Sequence, residues 1–144
     1  MANDFKSTDD LSSFFESFIK KGQVTNEAEV VPGFKIKLKA LSLGETLSAE
    51  AVMNIIENVP PDIINKVRCA SILSRSLLEI NGIPVENEGD TSEDIRKRRD
   101  GLYGNLMKMP AYVIQKAYDF YIKVVIEQNK IYSDGELGEK IENF

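Results

Sequence analysis

Histidine does not occur in this chain, and cysteine occurs once. The commonest general base and metal ligand is therefore missing, and a lone thiol can close no internal disulfide. That thiol, Cys69, lies in an apolar helical stretch. A reactive cysteine needs an exposed, electropositive setting, and although Lys66 and Arg68 are near in sequence, a helix sends adjacent residues to different faces. Cys69 is read as a small buried hydrophobe. Carboxylates cluster at Glu86, Glu88 and Asp90 and at Glu93 and Asp94, in loops and first helical turns where capping and solvation call for acid. Residues 87–90 look superficially like a calcium loop, but they lack its alternating aspartates and distant glutamate. Gly44, Gly82, Gly101 and Gly104 form no phosphate loop, since no Gly-Lys-Ser/Thr follows any of them. The densest basic run, Arg96-Lys97-Arg98-Arg99, fans out around a helix, with Glu93 and Asp94 as i,i+4 partners of Lys97 and Arg98. It reads first as a solvated face, then as a contact for an acidic protein such as a neighbouring copy's acidic tail, and last as a nucleic-acid contact. These residues predict no catalytic site, no cofactor and no metal.

The chemistry being this sparse, the elements must carry the argument. A chain of 144 residues is the length of one ordinary domain, and one of this size buries roughly 70% of its unfolded surface without needing staples. A net charge of −5 argues against general nucleic-acid binding, which needs a basic face. The first ten residues are polar and acidic, with no basic start followed by a hydrophobic run. No stretch approaches the ~18 uninterrupted apolar residues of a membrane span. The expectation is a cytosolic protein without a membrane contact.

The organising stretch is 61–81, where Ile63, Ile64, Val67, Ala70, Ile72, Leu73, Leu77, Leu78 and Ile80 recur at helical spacing over more than half the wheel. This predicts a buried central helix, stopped at Asn81-Gly82. Those two residues could instead turn a small hairpin between 78–80 and 83–85, the lesser option. Before it, Asp9 or Asp10 caps a short helix over 10–21 with Leu11, Phe14, Phe15 and Phe18 on one stripe, stopped by Gly22. A polar linker follows at 23–28. Phe34, Ile36, Leu38 and Ala40 alternate with Lys35, Lys37 and Lys39, which predicts a hairpin of 28–31 with 34–40 around Pro32-Gly33. The lysine row is either a solvated guard on an edge strand or a docking face for an acidic partner.

Ser42 and Glu45 fit a capping box for a helix over 43–58, with Leu43, Leu47, Ala51, Val52, Ile55, Ile56 and Val59 inward and Glu45, Glu50, Asn54 and Glu57 outward. Pro60-Pro61 ends it. After an acidic loop at 86–91, Thr91 or Ser92 starts a helix whose inner side is Ile95, Arg99, Leu102, Tyr103, Leu106 and Met107. Met109-Pro110 breaks the chain before a long last helix, 110–131. There Tyr112, Tyr118 and Ile122 widen the apolar band, as core or as core plus interface. The expected fold is mainly α with a small β-hairpin: four to five helices in one compact domain (29–132), the N-terminal hairpin packed on it. A polar N-terminal arm (1–28) with its short helix and an acidic, flexible C-terminal tail (133–144) flank this domain.

This order resembles the small tail-assembly proteins of tailed bacteriophages, both tail assembly chaperones and baseplate-hub assembly proteins. The resemblance rests on Val30-Val31-Pro32-Gly33-Phe34-Lys35-Ile36-Lys37-Leu38, on Leu41-Ser42-Leu43-Gly44-Glu45 opening a helix, and on a long apolar helix ending in Ser76-Leu77-Leu78-Glu79-Ile80-Asn81-Gly82. It spans residues 29–131. It implies a non-enzymatic protein of the infected bacterial host's cytoplasm, a chaperone of the tape-measure protein, or else a structural baseplate subunit retained in the virion tail. A homo-oligomer is compatible with either role. A cellular helical adaptor binding a partner peptide is the reading from another class. The residues themselves nominate three contact surfaces: the Phe14, Phe15 and Phe18 arm, the Lys35, Lys37 and Lys39 face, and the Tyr112, Tyr118 and Ile122 band.

Overall fold

At Pro32-Gly33 the chain reverses on itself, with Gly33 at φ 84°, the position of a type II turn that favours glycine. In the computed structural model, which describes residues 7–55 and 58–134, this turn joins β1 (Thr25–Val31) to β2 (Phe34–Lys39). Strand β1 starts at Thr25, inside the expected linker, because its polar residues find partners that local pattern does not reveal. Thr25 pairs with Lys39 and Glu27 with Lys37 across the ladder, and the Asn26 amide donates to Glu127. The first six residues and the tail from 135 onward lie outside the described residues.

The sheet has four antiparallel strands in the order β1-β2-β3-β4, so β2 is an interior strand and not an edge. The expected helix over 61–81 is two elements. Helix α3 (Pro61–Ser76) gives way at Leu77 to β3 (Leu77–Ile80), which pairs with β2, and β4 (Ile83–Pro84) folds back on β3. The hairpin at Asn81-Gly82, the lesser option from sequence, is the one realised. Asn81 at φ 50° and Gly82 at φ 79° both take the left-handed conformation of a tight hairpin turn. Asn81 also ties the two hairpins together. Its Oδ1 accepts from the Lys35 amide at 2.8 Å, and its Nδ2 donates to the Gly33 carbonyl at 3.1 Å.

Among the described residues five helices accompany this sheet, with α5 packed on β1 and β2, as the mainly helical reading expects. Helix α1 (Thr8–Gly22) is capped by Ser7, whose hydroxyl accepts from the Asp10 amide, and not by an aspartate. Helix α2 (Leu43–Glu50) opens with the expected capping box: the Ser42 amide donates to Glu45 at 3.0 Å, and the Glu45 amide to Ser42 Oγ at 3.2 Å. It tightens into a 3-10 turn (Ala51–Ile55) instead of running on to 58. The expected roles of Ile56 and Glu57 lie outside the described residues. The two faces of α2 are also exchanged relative to expectation. Ala49 is buried against α3, whose Ser71 hydroxyl donates to the Ala49 carbonyl at 2.8 Å, while Leu43 and Leu47 are 78% and 63% exposed. On that inward side Glu45 and Glu50 come within reach of Lys39 and Arg68, at 3.1 and 3.0 Å.

Helix α4 (Ser92–Leu106) carries a second capping box, Thr91 with Asp94, and α5 (Ala111–Ser133) is the longest helix. The core unites Ile36 and Leu38 of β2, Leu73 of α3, Leu77 of β3 and Val124 of α5, all at or near complete burial. The second half of α3 is buried almost all round, with Ser71, Ser74 and Ser76 bonding backbone carbonyls. No helix among the described residues is long and apolar enough to cross a membrane.

Candidate functional site

The three surfaces nominated from sequence lie on different parts of the molecule and meet different fates. The lysines of β2 stand on the sheet face away from the core, and each has a carboxylate: Lys35 with Glu27 at 2.9 Å, Lys37 with Glu79 at 3.3 Å, Lys39 with Glu45 at 3.1 Å. The row is thus locally neutralised. The Glu27 carboxylate raises the Lys35 pKa through its hydrogen bond and charge, so the ammonium stays charged at neutral pH.

The aromatic arm divides lengthwise. Phe14 and Phe18 pack in a tilted arrangement with centroids 5.7 Å apart, and Phe18 meets Tyr132 of α5 at 5.4 Å. Gly22 is what allows this docking. A Cβ there would stand 2.1 Å from the Tyr132 hydroxyl, so the glycine serves close approach of helix and ring, with no left-handed backbone to terminate the helix. Phe15 and Ile19 are left 59% exposed, with Leu11 above them. One turn apart, these three make a continuous apolar stripe on the outer side of α1.

The band on α5 splits in the same way. Tyr118 stacks on Tyr121 at 5.8 Å, and the Tyr121 hydroxyl accepts from the buried Leu41 amide at 3.3 Å. Burial raises the pKa of both phenols. Tyr118 is therefore mostly core. Tyr112 is exposed, with the Lys116 ammonium 5.3 Å above its ring, and Ile122 lies with Ile126 on the solvent side.

Two of the concavities that escaped the sequence reading bear on function. The larger, of about 700 Å³, runs between α2 and α4 and is lined by Lys39, Ser48, Arg75 and Arg99 among others. Lys39 and Arg99 there are already engaged by Glu45 and Glu86. Arg75 donates to Ser71 Oγ at 3.3 Å and has no carboxylate partner among the described residues. Arg99 faces inward as the helical pattern expects, and its work is structural: only 9% exposed, it donates to the carbonyls of Ser74 and Leu77 and to Glu86. It thereby satisfies the carbonyls where α3 hands over to β3.

The smaller is an apolar groove of about 260 Å³ where α3, the end of α4 and the start of α5 converge. Ile63 and Lys66 form one wall, Met107 and Met109 another, and Ala70 and Ile114 lie among its lining residues. Ile63 and Met107 are 44% and 46% exposed. The signal in the sequence was Met107, the last apolar residue of the inner stripe of α4, which helix termination at Leu106 leaves at the rim.

Cys69 is buried, and that burial pushes its thiol pKa up, with Arg68 working against it. Among the described residues no group of three or more His, Cys, Asp or Glu is placed to hold a metal ion. Set against known protein families, curated proteins and solved structures, the chain matches none of them.

Proposed function

We propose that this chain is a non-enzymatic assembly protein of a bacteriophage tail, working through protein–protein contacts in the infected bacterial cytoplasm. Its role is that of a chaperone for the tape-measure protein. The observation that carries the contact-protein part is the amount of large apolar side chain left in solvent in grouped positions: Leu11, Phe15 and Ile19 on α1, Leu43 and Leu47 on α2, Ile63 and Met107 at the groove. Grouped exposure of this kind marks interaction surfaces. The tail-assembly part is supported by the resemblance over residues 29–131. A long helical partner with apolar stripes suits such grooves, which is how amphipathic helices are commonly recognised.

A tagged pull-down from phage-infected lysate, read by mass spectrometry, tests the proposal. Recovery of a very long helical protein or of other tail components supports it. Recovery of host enzymes alone, or of nothing above background, sinks it and moves the adaptor reading to first place. Purified particles then separate the two tail roles, since a baseplate subunit stays in the virion and a chaperone does not.

A further inference from the structure

We propose that the exposed stripe of α1 in one copy of this chain seats in the apolar groove between α3, α4 and α5 of a second copy, so that the protein self-associates head to tail. This goes beyond the tail-assembly reading and does not depend on it.

The two surfaces are complementary in chemistry. Leu11, Phe15 and Ile19 give a row of one aliphatic, one aromatic and one β-branched knob, exposed in the free chain. At roughly 3.6 residues per turn, Asp9, Glu16 and Lys20 fall together along one margin of that row, acidic on balance and wholly so in its first two turns. The groove offers the converse: an apolar floor with Lys66 in its wall and Lys108 next in sequence to its Met107 and Met109. Neither lysine has a carboxylate partner among the described residues. Its volume of about 260 Å³ is below the ~300–1,000 Å³ of small-molecule pockets, and suits an inserted aromatic anchor of the kind that dominates interface energetics. The methionines at its rim can repack around such an anchor.

Geometry makes the contact intermolecular. Helix α1 is tethered at Gly22 against Tyr132, near the end of α5, whereas the groove lies at its start, by Ile114. Those points are about 27 Å apart at roughly 1.5 Å per helical residue, and Phe15 lies only about 10 Å from its tether. The arm cannot reach its own groove even by pivoting. A contact that joins two different patches leaves one arm and one groove free at the ends of any pair, so it propagates to a ring or a filament. One helix of four turns in one groove is a smaller contact than the ~1,200 Å² of a stable interface. Self-association is therefore weak and shows at high concentration.

The test is sedimentation velocity from micromolar to near-millimolar protein, on the wild type, Phe15→Asp, Met107→Asp and an equimolar mixture of the two variants. Circular dichroism first checks that both variants are folded, as exposed positions allow. If Met107→Asp does not fold, Ile63→Asp takes its place. The expected result is a wild-type average mass that rises with concentration, and a self-association weakened at least roughly 30-fold in each variant alone, as for loss of a hot-spot anchor. The mixture should form dimers and stop there, because one copy supplies the intact groove and the other the intact arm. A wild type that stays monomeric throughout overturns the proposal. So does assembly by the groove variant at wild-type strength, which would mean that the arms pair with each other. Assembly unaffected by either substitution would place the contact elsewhere and overturn it as well.

Discussion

Glu45 stands at the first turn of α2, where it closes the capping box and reaches Lys39. Burial of the carboxylate opposes ionisation, but the Ser42 amide and the Lys39 ammonium outweigh it and hold the Glu45 pKa below its ordinary value. A pKa lowered by folding stabilises the native state above the unfolded-state value of about 4.3. That stabilisation is lost as pH falls through the lower folded value. Urea melts over a pH series should therefore find Glu45→Gln less stable than wild type at neutral pH. The gap should close on acidification, and a gap that is constant with pH would refute the assignment. Arg99 makes the second residue-scale prediction. Arg99→Met strips the donor from the Ser74 and Leu77 carbonyls, at a cost of about 2–3 kcal/mol. Arg96→Met removes a guanidinium paired with exposed Glu93 and Asp100 at 3.8 and 3.6 Å, and should cost under about 1 kcal/mol. Equal losses in chemical denaturation would show that Arg99 belongs to the solvated face after all. The printed run of four basic residues conceals this difference, because the run does not tell which member faces a helix end.

Among the elements, the β3–β4 hairpin and α1 make opposite demands on their special residues. Asn81 combines a left-handed backbone with two side-chain bonds to the neighbouring turn. Asn81→Ala loses both bonds and strains the backbone, so a loss of about 1–3 kcal/mol is expected. Asn81→Gly loses the bonds without the strain and should cost less. The reverse order in thermal or urea melts would place the hairpin's stability outside its turn. Gly22 needs no unusual backbone; it needs room. Gly22→Ala should push Tyr132 aside and free α1, so that protease cuts within 8–22 earlier while the melting of the remainder changes little. A large drop in overall stability would mean that α1 is integral to the core. The elements read best from sequence are those whose signals are local. Ser42–Glu45, Pro60-Pro61, Met109-Pro110 and the Pro32-Gly33 turn act within a few residues of themselves, whereas the start of α4 stays open between Thr91 and Ser92 until the Asp94 capping box selects Thr91.

Across the molecule, stability should be graded as burial is. Amides of β2, hydrogen-bonded to a strand on each side, and of α3 from Cys69 to Ser76, buried almost all round, should exchange with solvent only through global unfolding. Those of α1 should exchange first. Uniform protection by hydrogen exchange would contradict the picture of an arm attached through one end. The contact surfaces were legible only in outline. Phe14, Phe15 and Phe18 declare an amphipathic helix, but the packing of Phe18 on Tyr132 decides that Phe15 is the one exposed. Tyr118 was separable from Tyr112 only once Tyr121 was seen beside it. The sequence by itself determined the helical class, the breaks at Pro60-Pro61 and Met109-Pro110, the Ser42–Glu45 cap and the turn of the first hairpin, because these follow from backbone sterics and hydrogen bonds within one turn; for α1 it named Asp9 or Asp10 where Ser7 is the cap. Tertiary structure alone decided that residues 77–80 are strand, since Leu77, Leu78 and Ile80 satisfy either period and the side of β2 opposite β1 supplies the ladder. It also decided which face of α2 turns inward: Ala49 packs against α3 with its carbonyl bonded by Ser71, which leaves Leu43 and Leu47 in water and sets Glu45 and Glu50 within reach of Lys39 and Arg68, distant in sequence.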